Sequence, residues 1–389
     1  MLSAEENFNL YFGGDPAKLP EAAHLKRYGM AGKPEHAWWK YADRFDVTKE
    51  PNEPNRFGWI VEIDPYDPNS VPVKRTALGR FKHEGAATVL SKDGRLVVYS
   101  GDDQAFEYVY RFVSRDKVDL ARPGANRDLL DHGTLSVARF EEDGGVRWMP
   151  LVFGEGPLTA KNGFRSQADV LIETRRAADL LGATPMDRPE DVETNPATGK
   201  VYVVLTNNRE RLAKGSPIPK KEVNAPNPRP KNHFGHLLEL VPDGGDPAAP
   251  GARWDFFLRC GPESTARALW LACPDNVAFD RRGRIWISSD MGREQEKIRI
   301  PDALWAADTE GEGRGVLRAL YTAPIGAEIT GPCFTPDERT LFIAIQHPGE
   351  SETAKYETPL TRWPDFDPAL PPRPAVVAIT REDGGEIGT

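Results

Sequence analysis

The chain has 389 residues, and its 50 lysines and arginines against 59 aspartates and glutamates give a net charge of −9. This balance argues against a nucleic-acid partner, because binding to a polyanion needs clustered positive charge. No apolar run approaches the length that spans a bilayer, so we expect no membrane partner either. A mostly polar stretch, residues 3–9, follows Met1 and Leu2, and no signal peptide is visible.

Short β-branched or aromatic runs, separated by turn residues, predict strands along most of the chain. The strands are predicted at residues 58–63, 97–99, 108–113, 201–205, 237–241, 285–287, 317–321, 341–345 and 375–379. The best helix candidate covers residues 166–181, with Ser166 as N-cap and Gly182 after its end. The proline- and lysine-rich stretch 214–231 reads as a solvated loop, not a linker between domains. We therefore predict an all-β fold with one short helix, as a single domain over residues 1–389.

Four segments share one plan: a polar residue, a strand, a turn and a second strand. They begin at His83, Arg188, Cys273 and Gly331. Their unequal spacing disfavours a solenoid of fixed period and favours a β-propeller whose blades carry insertions. The alternative is a set of unrelated hairpins in a β-sandwich.

Acidic residues stand at the equivalent place of three of these segments. Glu84, Glu190 and Asp275 immediately precede the first strand of their hairpins, and Asp102 and Asp103 end a second strand at the same rim. In a propeller these positions converge on one face, and a cluster of carboxylates suits Ca²⁺ or another hard cation. For any one residue the alternative is ordinary turn chemistry.

Arg188 precedes Glu190 in the string Arg-Pro-Glu-Asp, and the fixed φ of Pro189 predicts that the two side chains point to the same side. An arginine beside a metal cluster would bind a phosphate or carboxylate through two hydrogen bonds. Alternatively it neutralises its acidic neighbours. Lys82 and His83, just before Glu84, are weaker candidates for contact with an anion.

Six strings in order along the chain carry a resemblance to a known family. They are LSAEENFN (2–9), NRFGWIVEIDP (55–65), GRFKHEGA (79–86), YSGDD (99–103), DRPED (187–191) and IQHPGE (345–350). With these strings the chain resembles the PhoX-type alkaline phosphatases over nearly its whole length. That resemblance implies a six-bladed propeller in which a cluster of iron and calcium ions hydrolyses phosphate monoesters.

The resemblance also implies roles for individual residues. Glu84 and Glu190 would bind Fe³⁺ and Ca²⁺, and Asp275 would be a further calcium ligand. Glu5 or Glu6 would supply a carboxylate from the start of the chain. Arg188 would hold the phosphoryl oxygens of the substrate, so that Arg188, Glu84 and Glu190 form the catalytic set.

Family members have a longer N-terminal part, with an export signal and an Asn-Cys-Ala-Gly-Gly string whose cysteine binds iron. None of Cys260, Cys273 and Cys333 stands in such a string, so we expect a chain that is N-terminally truncated relative to the family. By the resemblance we also expect a monomer of the periplasm or the extracellular space. Two alternatives are a calcium-dependent lactonase-type propeller and a metal-binding propeller without activity.

Overall fold

The computed structural model describes residues 1–30, 33–262, 270–292, 295 and 300–389. The chain forms two compact units. The first consists of Met1–Val192 and Pro242–Arg253, and the second of Glu193–Val241 and Trp254–Thr389. The sequence-based prediction of a single domain over residues 1–389 stays a prediction. Among the described residues no helix is both long enough and apolar enough to cross a membrane.

The first unit contains short helices and two antiparallel sheets. Its helices are α1 (Ala22–Arg27), α2 (Gln167–Ile172) and α3 (Thr174–Leu181). Its strands are β1 (Leu2–Ala4), β2 (Ile60–Glu62), β3 (Val73–Lys74), β4 (Ala87–Leu90), β5 (Arg95–Gly101), β6 (Val109–Lys117), β7 (Gly133–Phe140) and β8 (Gly145–Pro150), and β9 (Pro189–Thr194) begins in it. The sheet β1-β2-β3 has three strands, and β4 to β8 are neighbours in chain order.

The sheet of β4 to β8 is built from antiparallel neighbours that succeed each other along the chain. The predicted hairpin at residues 83–103 pairs Leu90 with Leu96, and Gly94 in its turn has a φ of +88°. Only glycine adopts such a φ without strain. Phe81, Tyr110 and Val137 are buried in the core of this unit. Burial of one face of each strand is what the alternating pattern predicts.

The predicted helix at residues 166–181 is present but divided in two. Ser166 caps α2 by accepting a hydrogen bond from the amide of Asp169, and Gly182 ends α3 in the left-handed region, as predicted. Glu173, with φ −101° and ψ 39°, interrupts the helix between them. Arg175, in the first turn of α3, has a fully buried side chain. The sequence pattern also gave no sign of α1.

The second unit is a series of antiparallel sheets with its own core. Its strands are β10 (Val201–Leu205), β11 (His236–Pro242), β12 (Gly251–Arg259, which begins in the first unit), β13 (Pro274–Phe279), β14 (Ile285–Ser289), β15 (Ala303–Ala307), β16 (Arg318–Thr322), β17 (Glu328–Phe334), β18 (Thr340–Gln346) and β19 (Ala375–Thr380). The strands β13 to β16 form one sheet in chain order, and β17 to β19 form another. Tyr202, Ile285 and Trp305 are buried in this unit.

The predicted repeat is confirmed as strands and has a conformational signature that the pattern did not reveal. Each of the four segments supplies two successive strands: β4 and β5, β9 and β10, β13 and β14, and β17 and β18. In the last three, the residue before the first proline lies in the left-handed region: Arg188 (φ 53°), Cys273 (φ 47°) and Gly331 (φ 56°). For Arg188 and Cys273 this backbone is strained, because side chains with a Cβ rarely adopt it.

Candidate metal centre

The site of the first unit is assembled where three backbone segments meet closely. The Glu84 amide donates to the Gly101 carbonyl (3.2 Å), and the Asp103 amide donates to the Lys82 carbonyl (3.0 Å). A Cβ at Gly101 would lie 2.0 Å from the carbonyl oxygen of Glu190. Only a glycine permits this approach. The end of β5 thereby fixes the segments that carry Glu84 and Glu190.

Four carboxylates from different parts of the chain converge here. Ligand oxygens of Glu6, Glu84 and Asp103 lie within 4.8 Å of one another, and an oxygen of Glu190 lies within the same distance of Glu84. Asp103 and Glu190 are buried, whereas Glu6 and Glu84 are half-buried. Like charges at this spacing repel unless a cation lies among them.

Arg188 links two of these acids. Its Nε and Nη2 donate to the two carboxylate oxygens of Asp103 at 2.8 Å each, and Nη2 lies 2.9 Å from Oε1 of Glu190. Burial by itself would raise the pKa of Asp103, but the Arg188 guanidinium outweighs it and lowers that pKa. The prediction that Arg188 and Glu190 point to one side is confirmed. The pairing with Asp103 was not predicted.

Glu6 lacks the compensation that Asp103 has. Its Oε1 is buried and makes no hydrogen bond with any residue that the structure describes, whereas its Oε2 accepts from Nδ2 of Asn7 (2.5 Å). Burial, and then the charges of Asp103 and Glu84, raise the pKa of Glu6 to about 9. A buried carboxylate oxygen without a partner makes ionisation unfavourable, and a bound cation removes the penalty. The oxygen donors present therefore fit a hard cation such as Ca²⁺.

Glu5 does not join this cluster. Its Oε2 accepts from the amides of Gly58 (3.0 Å) and Trp59 (3.1 Å), and its Oε1 lies 2.7 Å from Nζ of Lys74. Neighbouring residues of an extended segment point to opposite sides, so Glu5 faces the sheet when Glu6 faces the cluster. Of the two predicted carboxylates, the structure brings only Glu6 to Glu84.

A buried ion pair between Arg175 and Asp102 holds the backbone next to the cluster. Arg175 donates through Nε to Oδ2 of Asp102 (2.8 Å) and through Nη2 to Oδ1 (2.5 Å), and both side chains are fully buried. Oδ1 of Asp102 also accepts from the amide of Lys82 (3.2 Å). The pair thus anchors the segment that leads to Glu84. Arg175 carries no signal in the sequence, because its partner is 73 residues away.

Lys82 and His83 have different environments, although they are neighbours. Burial lowers the pKa of Lys82, and Glu6 and Asp103 contribute in the opposite direction. His83 is fully buried, with Nδ1 2.9 Å from the Ser100 hydroxyl and Nε2 2.9 Å from the Gly79 carbonyl. Burial lowers the pKa of His83 to about 3. His83, which the sequence made a candidate for anion contact, is therefore a neutral structural residue.

Asp275 belongs to the second unit. It is the second residue of β13 and is buried. This is the register of Glu190 in β9, as the repeat predicts. Its role as a further metal ligand stays a prediction.

Comparison with known proteins supports the family resemblance that the six sequence strings indicate. The family described as alkaline phosphatase PhoX matches residues 1–349. The structure of Pseudomonas fluorescens PhoX in complex with vanadate, described as a transition state analogue, is similar at 42% identity and a TM-score of 0.90. The similarity covers 100% of this chain and 68% of that one. No curated protein matches the chain.

Other solved structures are much more distant. A putative 6-phosphogluconolactonase from Bacteroides uniformis has 9% identity and a TM-score of 0.31. That similarity covers 75% of this chain and 71% of the lactonase chain. An exo-1,5-α-L-arabinanase from a bovine ruminal metagenomic library has 12% identity and a TM-score of 0.29, covering 69% of this chain and 65% of its own. These values are too low to support an argument. The all-β propeller prediction is confirmed by the antiparallel sheets together with the similarity to the Pseudomonas structure.

Proposed function

Because the chain belongs to the PhoX family of alkaline phosphatases, we propose that its carboxylate cluster is a calcium- and iron-dependent centre for the hydrolysis of phosphate monoesters. The observation that carries this proposal is the group Glu6, Glu84 and Asp103, whose ligand oxygens lie within 4.8 Å of one another. Glu190 extends the group and is held by Arg188.

The metal ligands in this proposal are Glu6, Glu84 and Glu190, with Asp275 added from the sequence repeat. Their oxygens suit Ca²⁺ and are also acceptable to Fe³⁺. When bound, such ions neutralise the phosphoryl oxygens and lower the pKa of a coordinated water. Glu6 contributes most directly, because its unpartnered buried oxygen and its raised pKa are relieved by a cation.

Arg188 is proposed to hold the substrate. Its side chain is 30% exposed, so a ligand can reach it, whereas Asp103 beneath it is buried. Asp103 fixes the plane of the guanidinium through two hydrogen bonds. A cation oriented before the substrate arrives stabilises charge on the phosphoryl oxygens without reorganisation. Asp103 is thus a positioning residue for Arg188 in this proposal.

The test is hydrolysis of p-nitrophenyl phosphate by the purified chain with calcium and iron added. Glu190→Gln keeps the shape of the side chain and removes its charge, and we expect it to lower kcat/KM by about 100-fold or more. Glu142→Gln, at an exposed position, is the matched control and should leave the rate unchanged. Full activity of the Glu190→Gln variant would refute the mechanism.

Vanadate and metal analysis separate this proposal from its alternatives. The similar Pseudomonas protein is described in complex with vanadate, and we expect vanadate to inhibit this chain competitively. A lactonase-type propeller would bind calcium without iron and cleave a lactone but not the aryl phosphate. A propeller without activity would bind metal and hydrolyse neither substrate. Elemental analysis and the two assays distinguish the three cases.

The remaining expectations concern the molecule's surroundings. We propose that the substrate is a small phosphate monoester, that the chain is a monomer and that it acts in the periplasm or outside the cell. These rest on family membership. Light scattering of the purified protein tests whether it is a monomer. Fractionation of cells that express the gene tests where the protein acts.

A further inference from the structure

A second polar cavity lies in the first unit, on the sheet formed by β5 to β8 and away from the carboxylate cluster described above. Its volume is about 760 Å³, and its lining includes Arg111, Ser136, Thr134, Trp148 and Pro250. This volume is in the range of small-molecule sites. None of its lining residues belongs to the proposed metal centre.

Arg111 is the buried cation of this cavity. It is 5% exposed. Its Nη1 donates to the carbonyls of Pro247 (2.8 Å) and Ala249 (2.5 Å), and its guanidinium lies 4.6 Å from the centre of the Trp148 ring. These contacts fix the position of the group. They do not neutralise its charge.

The Nε of Arg111 is unpartnered. It is buried and makes no hydrogen bond with any residue that the structure describes. The same described residues place no carboxylate within ion-pair distance of the guanidinium. Tyr99, directly opposite Arg111 across β5 and β6, is a hydrogen-bonding neighbour of the guanidinium. The carboxylate of Asp246 also acts on the charge of Arg111, but it accepts from the amides of Lys92 and Ala248. A buried donor left unsatisfied is costly.

The other charges around the cavity are already paired. Arg95 is bound to Asp93, Arg115 to Asp116, and Asp131 to Arg75. The charge that remains to be neutralised is therefore that of Arg111. Burial also lowers the pKa of Arg111, which is the direction expected for a cation that lacks a counter-charge.

Ser136 places a hydroxyl next to this guanidinium. It is paired with Arg111 across β6 and β7, and residues directly opposite in an antiparallel pair point to the same face. Val113 and Pro150 add apolar surface to the lining. The cavity thus combines a fixed cation, a neighbouring hydroxyl and an apolar wall.

From this arrangement we infer that the cavity binds a small organic oxyanion, whose carboxylate or phosphate group pairs with the part of the Arg111 guanidinium that lines the cavity and whose body lies against Trp148. The fork of a guanidinium matches two oxygens of either group. The site is separate from the proposed hydrolytic centre and does not depend on the assignment of its function.

Calorimetric titration of the intact chain tests the inference with three probes: inorganic phosphate, phenylphosphonate and benzoate. We expect at least one aromatic probe to bind to the wild-type chain, and the tighter of the two identifies a phosphate or a carboxylate as the preferred group. Arg111→Lys keeps the charge but cannot form the forked pair, and should weaken binding by about tenfold or more. Ser136→Ala should weaken it by about threefold.

Two control variants separate this cavity from other cations. Arg115→Lys changes an exposed arginine of the same lining and should leave the affinity within about twofold. Arg188→Gln removes the arginine that is proposed to hold phosphoryl oxygens in the metal centre, so the binding that persists in this variant is assigned to the cavity. Absence of binding to Arg188→Gln up to about 10 mM, or an equal loss in Arg115→Lys, would overturn the inference. If circular dichroism shows that Arg111→Lys does not fold, Ser136→Ala becomes the test, and unchanged binding to that variant overturns the inference.

Discussion

Arg188 donates two hydrogen bonds of 2.8 Å to the carboxylate of Asp103, one from Nε and one from Nη2. Its Nη2 is at the same time 2.9 Å from Glu190. Arg188 therefore does more than neutralise a neighbour, because its plane is set by one acid and its position by a second. This fixed geometry is what recognition of a tetrahedral phosphoryl group requires.

The first prediction concerns the forked pair of hydrogen bonds that Nε and Nη2 of Arg188 donate to Asp103. Arg188→Lys keeps the positive charge but loses the paired hydrogen bonds to Asp103, so we expect kcat/KM for p-nitrophenyl phosphate to fall by about 100-fold. Steady-state kinetics with saturating calcium and iron measure it. Arg373→Lys is the matched control, because Nε and Nη2 of Arg373 make a similar forked pair with Asp365 on the surface. A change within about threefold for Arg188→Lys would contradict the role of the fork.

The fold was largely predictable because its information is local. Hairpins such as residues 83–103 are specified by a Gly-containing turn and by neighbouring apolar runs. The site was predictable only in part: the repeat register identified Glu84, Glu190 and Arg188. It did not separate Glu5 from Glu6 or reveal the bond from Arg188 to Asp103. Those contacts join segments 53 or more residues apart, and their partners depend on tertiary packing.

Glu5 and Glu6 give a second prediction, because two adjacent glutamates have opposite roles. Glu5→Gln loses the ion pair with Lys74, and we expect the free energy of unfolding to fall by about 1 kcal/mol with calcium affinity within about threefold. Glu6→Gln should lower calcium affinity by about tenfold or more without destabilising the metal-free chain. Urea denaturation and calcium titration of both variants measure these effects. The reverse pattern would show that Glu5 is the ligand.

The third prediction is a dependence on pH in the metal-free protein. The pKa of Glu6 is raised from 4.5 to about 9, so the folded chain retains a proton that the unfolded chain has lost over this interval. The stability contributed by this proton is complete below 4.5 and is lost as the pH rises through about 9. Urea midpoints should therefore fall with rising pH more steeply in the wild type than in Glu6→Gln.

Calcium should reverse this dependence on pH. The ion competes with the Glu6 proton, so its affinity should rise with pH, by up to about tenfold per unit for one released proton. Calcium titrations at several pH values below 9 measure the slope. A slope that is the same in the wild type and in Glu6→Gln would assign the proton to another group.

Gly101 gives the fourth prediction. Its Cβ would lie 2.0 Å from the carbonyl oxygen of Glu190 and 2.4 Å from that of Pro189, and both are backbone atoms that cannot rotate away. Gly101→Ala should therefore destabilise the chain by about 1–3 kcal/mol and displace Glu190, with a loss of calcium affinity. Gly124→Ala is the control, since a Cβ there has nothing within 4 Å. Equal stability of the two variants would contradict this close approach.

The fifth prediction concerns the buried ion pair of Asp102 and Arg175. Arg175→Met leaves the Asp102 carboxylate buried without its cation, and we expect a cost of about 3–5 kcal/mol in the free energy of unfolding. Arg176→Met, at the next residue of α3, removes a partly exposed pair with Glu173, a hydrogen bond to the Asn162 carbonyl and a contact with the Phe164 ring, and should cost about 1–2 kcal/mol. Urea denaturation of the two variants measures the difference.

A double variant tests the cause of that cost. If the penalty of Arg175→Met comes from the orphaned carboxylate, then adding Asp102→Asn should recover part of the lost stability. Oδ1 of Asp102 also accepts from the Lys82 amide two residues before Glu84. We therefore expect the double variant to regain stability while calcium affinity stays below that of the wild type, because an amide holds the Lys82 backbone less firmly than a carboxylate. A double variant no more stable than Arg175→Met alone would show that lost packing, and not an unpaired charge, sets the cost.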